Sequence, residues 1–393
     1  MFLDRLKTGL ARKHSGDVSP GAPSPSHSPS PLSPVDSTHR KKAPTPSRSS
    51  SKDAHRSVLD LSPRDYDPAT LLPASIQVGG YAVRPLVSIA QVRDHLALFG
   101  AFFALASSAG PEFHRVADHA AFEYERWAST ILPGRVVASA SSQSTGSSSG
   151  SGSSSTPAGS PASPSSPLTA AELPPLDVLM CWHAHLLNPA QYARDLEGTY
   201  AALHDVPFPL AEAAAAVRDH TLPAQLDQRW GGNELRTMHS ISGWTPPDIS
   251  AAVQRQARIV ATAQEQGWFD PRFSASAEGM AVFQRCIVRY HAWLDLMAAV
   301  DGHPFLPPTL DIEIAWRTHQ LRGQRYRTET ARLIGAPLDR ERFDDAGLRR
   351  AEKLWKTRFR HDYLGPGSQP RGGTPLGGGA RGGVRAPSRS QTL

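Results

Sequence analysis

Three side chains on one predicted helix invite a chemical reading: Cys181, His183 and His185, set around Trp182. Thiolate and imidazole are common zinc ligands, and imidazole is the usual proton carrier near neutral pH. Residues two apart on a helix project about 200° from one another, so His183 and His185 cannot hold one ion together. Cys181 and His185 are four apart and share a face, which makes half of a zinc site. Cys286, His291, His303 and His319 are the obvious completers, none at a recognisable ligand spacing; the candidate metal set is Cys181, His185 and His319. The competing reading is packing: Cys181 as a small buried apolar residue, and His185 and His319 each hydrogen-bonded to a carboxylate or carbonyl beside a tryptophan. Packing is the reading adopted, with no cofactor and no catalytic residue assigned. The chain has no Gly-x-Ser-x-Gly, phosphate-cradling glycine loop or His-Glu-x-x-His, so hydrolase, kinase and zinc-protease readings lose their usual support.

The elements that position these residues occur twice. Counted from Asp177 and Asp311, the pairs Trp182/Trp316, His185/His319, Leu187/Leu321 and Tyr192/Tyr326 stand in identical register. Upstream, Tyr124 and Trp127 match Tyr290 and Trp293. Tyr124 lies 53 residues before Asp177, and Tyr290 lies 21 before Asp311; the difference of 32 equals the length of an uncharged Ser/Gly/Pro tract, 137–168. The first copy therefore reads as the second with a loop inserted. Each motif helix is announced by Pro-Pro, with an aspartate in the first turn where it complements the helix dipole. Val178, Leu179, Met180 and Cys181, like Ile312, Ile314 and Ala315, are apolar all round, as in a buried helix. Asn188-Pro189-Ala190-Gln191 predicts an N-cap, a proline at the first helical position and a capping-box partner for a following helix.

Outside the motif the apolar period is also helical. Ile89, Leu96, Phe99, Phe103 and Leu105 form a stripe on a helix starting near Ser88, and a matching helix starts near Asp248. Phe283, Ile287, Tyr290, Leu294 and Met297 recur at steps of four and three. Leu348, Ala351, Trp355 and Phe359 give a last helix its apolar side. Strand-like alternation is scarce. The expected fold is all-α: two similar helical repeats packed into one core, with long disordered tails and an inserted disordered loop.

Of 393 residues, 31 are Gly and 35 are Pro, so only part of the chain is expected to build a core. The reading assigns 1–65 to a Ser/Pro-rich basic tail, 66–136 with 169–240 to the first repeat, and 137–168 to the loop. It assigns 241–364 to the second repeat and 365–393 to an Arg/Gly-rich tail. Residues 1–60 carry ten Lys/Arg against five Asp/Glu, a balance of +5, and 365–393 carry four Arg and no acid. Of the net +6, that leaves −3 for the stretch between. Two cysteines exclude a disulfide framework, and no apolar run approaches the ~20 residues of a membrane span.

Laid out in this way, the motif resembles that of the glycine-rich domain-containing protein family of plants and fungi. Its hallmark is a repeated segment carrying Pro, Asp, Trp-His-x-His-x-Leu, Pro and Tyr. Asp177, Trp182, His183, His185, Pro189 and Tyr192 fit it. Asp311, Trp316, His319 and Tyr326 fit the second copy, where Arg317 replaces a histidine and Gly323 a proline. The resemblance covers roughly 86–364. It implies growth- or stress-related roles in plants and no agreed biochemical activity.

The expected function is that of a non-catalytic helical interaction protein with a protein partner, cytoplasmic with the nucleus as a second site. The alternatives are a metal protein or enzyme using His185 and His319, and an RNA-associated protein using the basic C-terminus. Ser-Pro or Thr-Pro pairs at Ser19, Ser24, Ser28, Ser30, Ser33, Thr45 and Ser62 make the N-terminal tail a candidate for phosphorylation.

Overall fold

A computed structural model describes residues 57–132, 168–223, 247–300, 305–338 and 345–365. Residues 137–167, the chain before Ser57 and the chain after Gly365 lie outside the described residues, and with them the disorder expected of them; Leu168, assigned above to the loop, is instead buried in the core. The fold begins earlier than expected. Residues 57–65, assigned above to the tail, form two 3-10 turns, and Val58 and Leu59 pack against the core.

The described residues are dominated by helices. α1 (Ile89–Ala109) starts at Ser88, whose side chain caps Gln91 while Gln91 caps Ser88 in return. α2 (Phe113–Arg126) runs into a single π turn, Trp127–Ile131. The motif helix α3 (Leu176–Leu186) is followed by α4 (Pro189–Asp195) and α5 (Leu210–Arg218). α6 (Pro247–Glu265), the short α7 (Pro271–Ala275) and the long α8 (Ala277–Ala299) precede the second motif helix, α9 (Leu310–Gln320). α10 (Gln324–Ile334) and α11 (Asp345–Phe359) complete the order.

The repeat is visible in the packing. α2 lies on α3 as α8 lies on α9, and one continuous hydrophobic core joins the two copies. Trp182 and Trp316 are both buried, each against the tryptophan of the preceding helix: Trp127–Trp182 and Trp293–Trp316 have ring centroids 5.3 Å apart. α6 does not stay with the copy it precedes in sequence. It crosses α2, α3 and α1 as well as touching α9, and α1 in turn reaches α8 and α9. These crossings stitch the copies together.

Two small antiparallel hairpins are additions to the all-α expectation. β1 (Tyr66–Asp67) pairs with β2 (Leu72–Pro73), and β3 (Ile76–Val78) with β4 (Tyr81–Val83). Strands of two or three residues are too short for alternation to register. The second hairpin turns on Gly79-Gly80, a two-residue turn sequence, with Gly79 at φ +57°. A side chain there would also meet Ala298 Cβ at 3.2 Å, and the Gly79 N–H donates to Asp295 Oδ1 at 2.8 Å, which pins the hairpin to α8.

The stretch Ile89–Ile131 is the one described helical segment long and apolar enough to cross a membrane. It is two helices, α1 and α2, that break at Gly110 (φ +56°) and Pro111. α1 carries Arg93, Asp94 and His95 and packs on α5 and α6, as a core helix does.

Candidate functional site

The motif histidines sit in the last turns of α3 and α9, and each is held by the helix before it and the helix after it. In the first copy Tyr124 Oη of α2 lies 3.1 Å from His185 Nδ1, and His185 Nε2 lies 2.9 Å from Asp195 Oδ2 at the end of α4. In the second copy Tyr290 Oη of α8 lies 2.7 Å from His319 Nδ1, and His319 Nε2 lies 2.6 Å from Glu329 Oε2 of α10. The ring of Tyr192 stands edge-on to His185 with centroids 4.9 Å apart, and Tyr326 stands the same way to His319, also at 4.9 Å. The same hydroxyl–imidazole–carboxylate relay is thus built twice.

Partner chemistry assigns the protons. An ionised carboxylate only accepts, so Nε2 carries the hydrogen and Nδ1 accepts from the tyrosine hydroxyl. Burial lowers the affinity of both imidazoles for a second proton, against the pull of their carboxylates, so both stay neutral. Burial also pushes Glu329 upward, but hydrogen bonds from His319 and Arg325 and the nearby Arg322 bring it down to about 2. Asp195 is likewise net lowered: hydrogen bonds from His185 and Gln191 outweigh burial. Tyr124 and Tyr290 are raised well above the usual phenol range by burial, so their hydroxyls remain donors.

In form this is a nucleophile–base–orienter arrangement. The would-be nucleophile, however, is 0% exposed in both copies. Only the carboxylate end reaches solvent, with about a quarter of the side chain exposed: 25% for Asp195 and 23% for Glu329. What each relay does physically is tie three helices together through buried, satisfied hydrogen bonds.

Around this shared element the copies differ. His183 and Arg317 occupy equivalent positions. His183 Nε2 meets His95 Nε2 of α1 at 2.7 Å, and His95 Nδ1 meets Thr318 Oγ1 of α9 at 2.9 Å. The Thr318 hydroxyl donates to Ile314 O at 2.8 Å, so it accepts from His95, which accepts from His183. Burial, reinforced by Arg317, lowers His95 to about 3, and burial lowers His183 well below its ordinary value. Arg317 instead pairs with Glu313 one turn back, at 2.5 Å, and donates to Gln256 of α6. The aspartates that open the motifs diverge too. Asp311 is buried against Arg289 Nε at 2.8 Å, whereas Asp177 is half-buried and its carboxyl is raised, chiefly by burial. At the register of Arg289 the first copy has Glu123, paired with Arg126 at 3.2 Å.

Gly323 accounts for its own departure from Pro189. It has φ +55°, and a side chain on it would point at Leu186 Cδ2 and Tyr192 Cε1 of the first copy, 3.5 and 3.6 Å away. The expected capping box at the start of α4 is a correction. Helix α4 does begin at Pro189, but Asn188 makes no side-chain cap. Its Nδ2 turns back to Ala184 O at 2.8 Å, closing the end of α3, and Gln191 reaches forward to Asp195 Oδ1 at 2.7 Å. Holding the relay carboxylate has displaced the cap.

Of the candidate metal residues, His185 and His319 each have both ring nitrogens engaged within their own copy. The Cys181 thiol is buried, and burial followed by Asp177 raises it well above the usual range. No group of three His, Cys, Asp or Glu among the described residues is arranged to hold an ion. Asp195 and Glu329 were not singled out in sequence, although each lies ten residues after its histidine. His95 has no matching histidine in the second copy and left no such signal. Of the phosphorylation candidates only Ser62 is described: its N–H and Oγ both donate to Asp65 Oδ2, at 2.7 and 2.9 Å.

Residues 218–329 match a family model described as glycine-rich domain-containing protein-like. The chain is similar to Glycine-rich domain-containing protein 2 of Arabidopsis thaliana, 26% identical over 225 residues, which is 52% of this chain and 27% of the relative. It is also similar to Glycine-rich domain-containing protein 1 of the same plant, 28% identical over 240 residues, 54% of this chain and 28% of the relative. The matches span little more than a quarter of those relatives' length. No solved structure matches. The family segment contains the whole second relay, Tyr290, His319 and Glu329, so it is over the second copy that the chain is similar to the glycine-rich domain-containing protein family.

Proposed function

We propose that this chain is a non-catalytic interaction protein whose folded part presents charged surface to an anionic partner protein. One observation carries the reading: the two groups best placed for chemistry end in tyrosine hydroxyls that solvent does not reach. The exposed surface supports a polar mode of recognition. Among the described residues the large hydrophobic side chains that are exposed are Leu71 and Tyr81, and Arg332 lies over the Tyr81 ring at 5.3 Å. The densest exposed charge is on α11, where Arg349, Arg350, Lys353, Lys356 and Arg358 face outward. Arg358 is tied to Asp295 at 2.6 Å and Lys356 to Asp362 at 2.8 Å.

The test separates surface from relay. Full-length protein is used to capture partners at low salt, beside a Tyr124→Phe/Tyr290→Phe variant and an Arg349→Glu/Arg350→Glu/Lys353→Glu variant. A partner kept by the first variant and lost by the second supports the reading. Turnover of a small substrate lost with the tyrosine hydroxyls, in protein that still melts cooperatively, overturns it.

A second reading rests on the same cations: RNA bound through α11 and the Arg-Gly-Gly segments at Arg371 and Arg381. Its mark is affinity that falls steeply with salt and is lost on deleting 365–393.

A further inference from the structure

We propose that the carboxylate end of the first relay is a binding site for a guanidinium group, held by Asp195, Glu125 and the Tyr200 hydroxyl. The group comes either from an arginine side chain of a partner protein or from a small free guanidine. The site is not on α11 and is opposite to it in charge, so it stands apart from the reading of that helix.

The first observation is what the second copy builds at the same place. There Glu329 Oε2 accepts from Arg322 Nη1 at 3.3 Å and Oε1 accepts from Arg325 Nε at 2.8 Å, beside the bond to His319. Counted from Asp177 and Asp311, the first copy has Asn188 and Gln191 at those two positions. Asn188 turns back to Ala184 O, and Gln191 offers Asp195 Oδ1 only a neutral amide, at 2.7 Å. Arg194, beside Asp195 in sequence, is bonded to Gln191 Oε1 at 2.6 Å rather than to the carboxylate. The second relay thus carries two guanidinium groups of its own chain, where the first carries an amide.

The second observation is a pair of polar atoms left over beside Asp195. Tyr200 is 4% exposed, and its hydroxyl has no hydrogen-bond partner among the described residues. Its ring centroid lies 4.9 Å from that of His185 and 5.0 Å from that of Tyr124, which sets it against the relay. Glu125, the residue after Tyr124, has a buried Oε2 that is likewise without a partner. Burial raises Tyr200 first and the charges of Glu125 and Asp195 add to it, so both carboxylates act on its hydroxyl. In the second copy the register of Glu125 is His291, closed by its own chain: Nε2 accepts from the Leu86 N–H at 2.9 Å and Nδ1 donates to Ile287 O at 2.7 Å. The register of Tyr200 is Ile334, a buried apolar side chain. Relative to the second copy, the first lacks the cations and has an extra carboxyl and a phenol.

The third observation is access and chemistry. The π turn after α2 packs on Ala201–Leu203, which brings the Glu125 and Tyr200 ends of the two elements to one edge. At that edge Asp195 keeps 25% of its side chain exposed and Glu125 is half-buried. Burial pushes Glu125 up to about 7, as befits a carboxyl without a counter-charge. Guanidinium offers five N–H donors in a planar fork and no acceptor, which suits acceptors on several elements better than a compact, strongly hydrated ammonium does. No three His, Cys, Asp or Glu among the described residues are arranged to hold a metal ion, so the cation that fits is organic.

The experiment is calorimetric titration of the full-length chain, at constant ionic strength, with methylguanidine, N-acetyl-arginine amide and methylammonium. The expected result is saturable binding of the guanidines at a single site, about tenfold or more tighter than methylammonium. Tighter binding of N-acetyl-arginine amide supports the proposal with an arginine side chain as occupant, and tighter binding of methylguanidine supports it with a free guanidine. Glu125→Gln, in protein that still melts cooperatively, should weaken binding about tenfold, and Tyr200→Phe should weaken it by less. Gln191→Arg gives Asp195 the guanidinium that Arg325 gives Glu329; it should abolish binding and raise the melting temperature. The proposal is overturned if no probe binds, if methylammonium binds as tightly as the guanidines, or if binding survives both Glu125→Gln and Gln191→Arg unchanged.

Discussion

The two copies agree where a tyrosine, a histidine and a carboxylate meet, and disagree almost everywhere else that polar groups are buried. In the first copy the helix position after Trp182 is His183, joined to His95 as a neutral pair. In the second it is Arg317, neutralised by Glu313 and bonded to Gln256. The opening aspartate is half-buried in the first copy and locked to Arg289 in the second. Each solution is internally complete: where the second copy has a cation it also has an acid, and where the first lacks the cation the paired groups are uncharged. The relay is therefore the element the repeat needs in order to hold three helices, and the flanking polar pairs are local answers to the cost of burying charge.

The largest effect that tests this symmetry is at the tryptophans, which both copies bury to the same degree. Trp182→Ala and Trp316→Ala should each cost about 3–5 kcal/mol, a large share of a domain's stability, and give poorly soluble or unfolded protein. Urea melts of both variants check it; a normal transition in either would make that residue part of a binding surface instead.

The next effect should break the symmetry. Arg289→Met strands Asp311 in the core and should cost near the low end of about 3–5 kcal/mol. The Thr309 hydroxyl, 2.5 Å from Asp311 Oδ1, and Arg285, 3.7 Å from Oδ2, compensate in part. Asp177→Asn in the first copy should change stability by less than about 1 kcal/mol or raise it, because burial there already disfavours the charged carboxyl. Equal costs at the two positions would mean that the aspartates serve one purpose after all.

Most of the scaffold was legible because it rests on regular periods. Steps of three and four placed Phe283 through Met297 on a buried face, and the fixed register of Trp182 with Trp316 announced the shared core. Tyr124 and Tyr290 were visible as matched residues, but nothing in their spacing says that their hydroxyls turn toward a histidine on another helix. Asp195 and Glu329 stood in register without an evident task, since a carboxylate on a helix is ordinarily solvated. His95 was illegible in principle: it acts across 88 residues on His183 and 223 on Thr318, and its counterpart in the other copy is not a histidine. The hairpins at 66–83 escaped because strands of two or three residues carry no period.

Acid should act on both copies, through His95 and His183 in the first and through His291, lowered by burial to about 4, in the second. A histidine whose folded value is depressed binds its proton only in the unfolded chain, so stability is full above the unfolded value near 6.5 and falls as pH drops toward the folded one. For His95, at about 3, that window runs from about 6.5 to 3, and the loss approaches about 1.4 kcal/mol per pH unit. Urea midpoints measured from pH 7.5 to 4.5 should be flat at first and then decline. Replacing His95 and His183 together by Leu should lessen the decline, leaving the share that belongs to His291. A slope as steep in the double variant as in the parent would place the acid sensitivity elsewhere.

One further effect bears directly on the relay. Tyr124→Phe and Tyr290→Phe each delete one hydroxyl and leave a buried imidazole nitrogen without its donor, a change that costs about 1–3 kcal/mol. The second copy should lose more, because its hydrogen bond is the shorter, 2.7 Å against 3.1 Å, and Glu329 is held ionised more firmly than an ordinary carboxylate. The comparison is sharpest as two double-mutant cycles, Tyr124 with His185 and Tyr290 with His319, each pair changed singly and together to Phe and Leu. If the relay is one repeated device, both cycles give favourable coupling, the larger in the second copy. Coupling near zero in both would reduce the relays to coincident packing, and coupling in only one would mean that the repeat preserves the residues without the interaction.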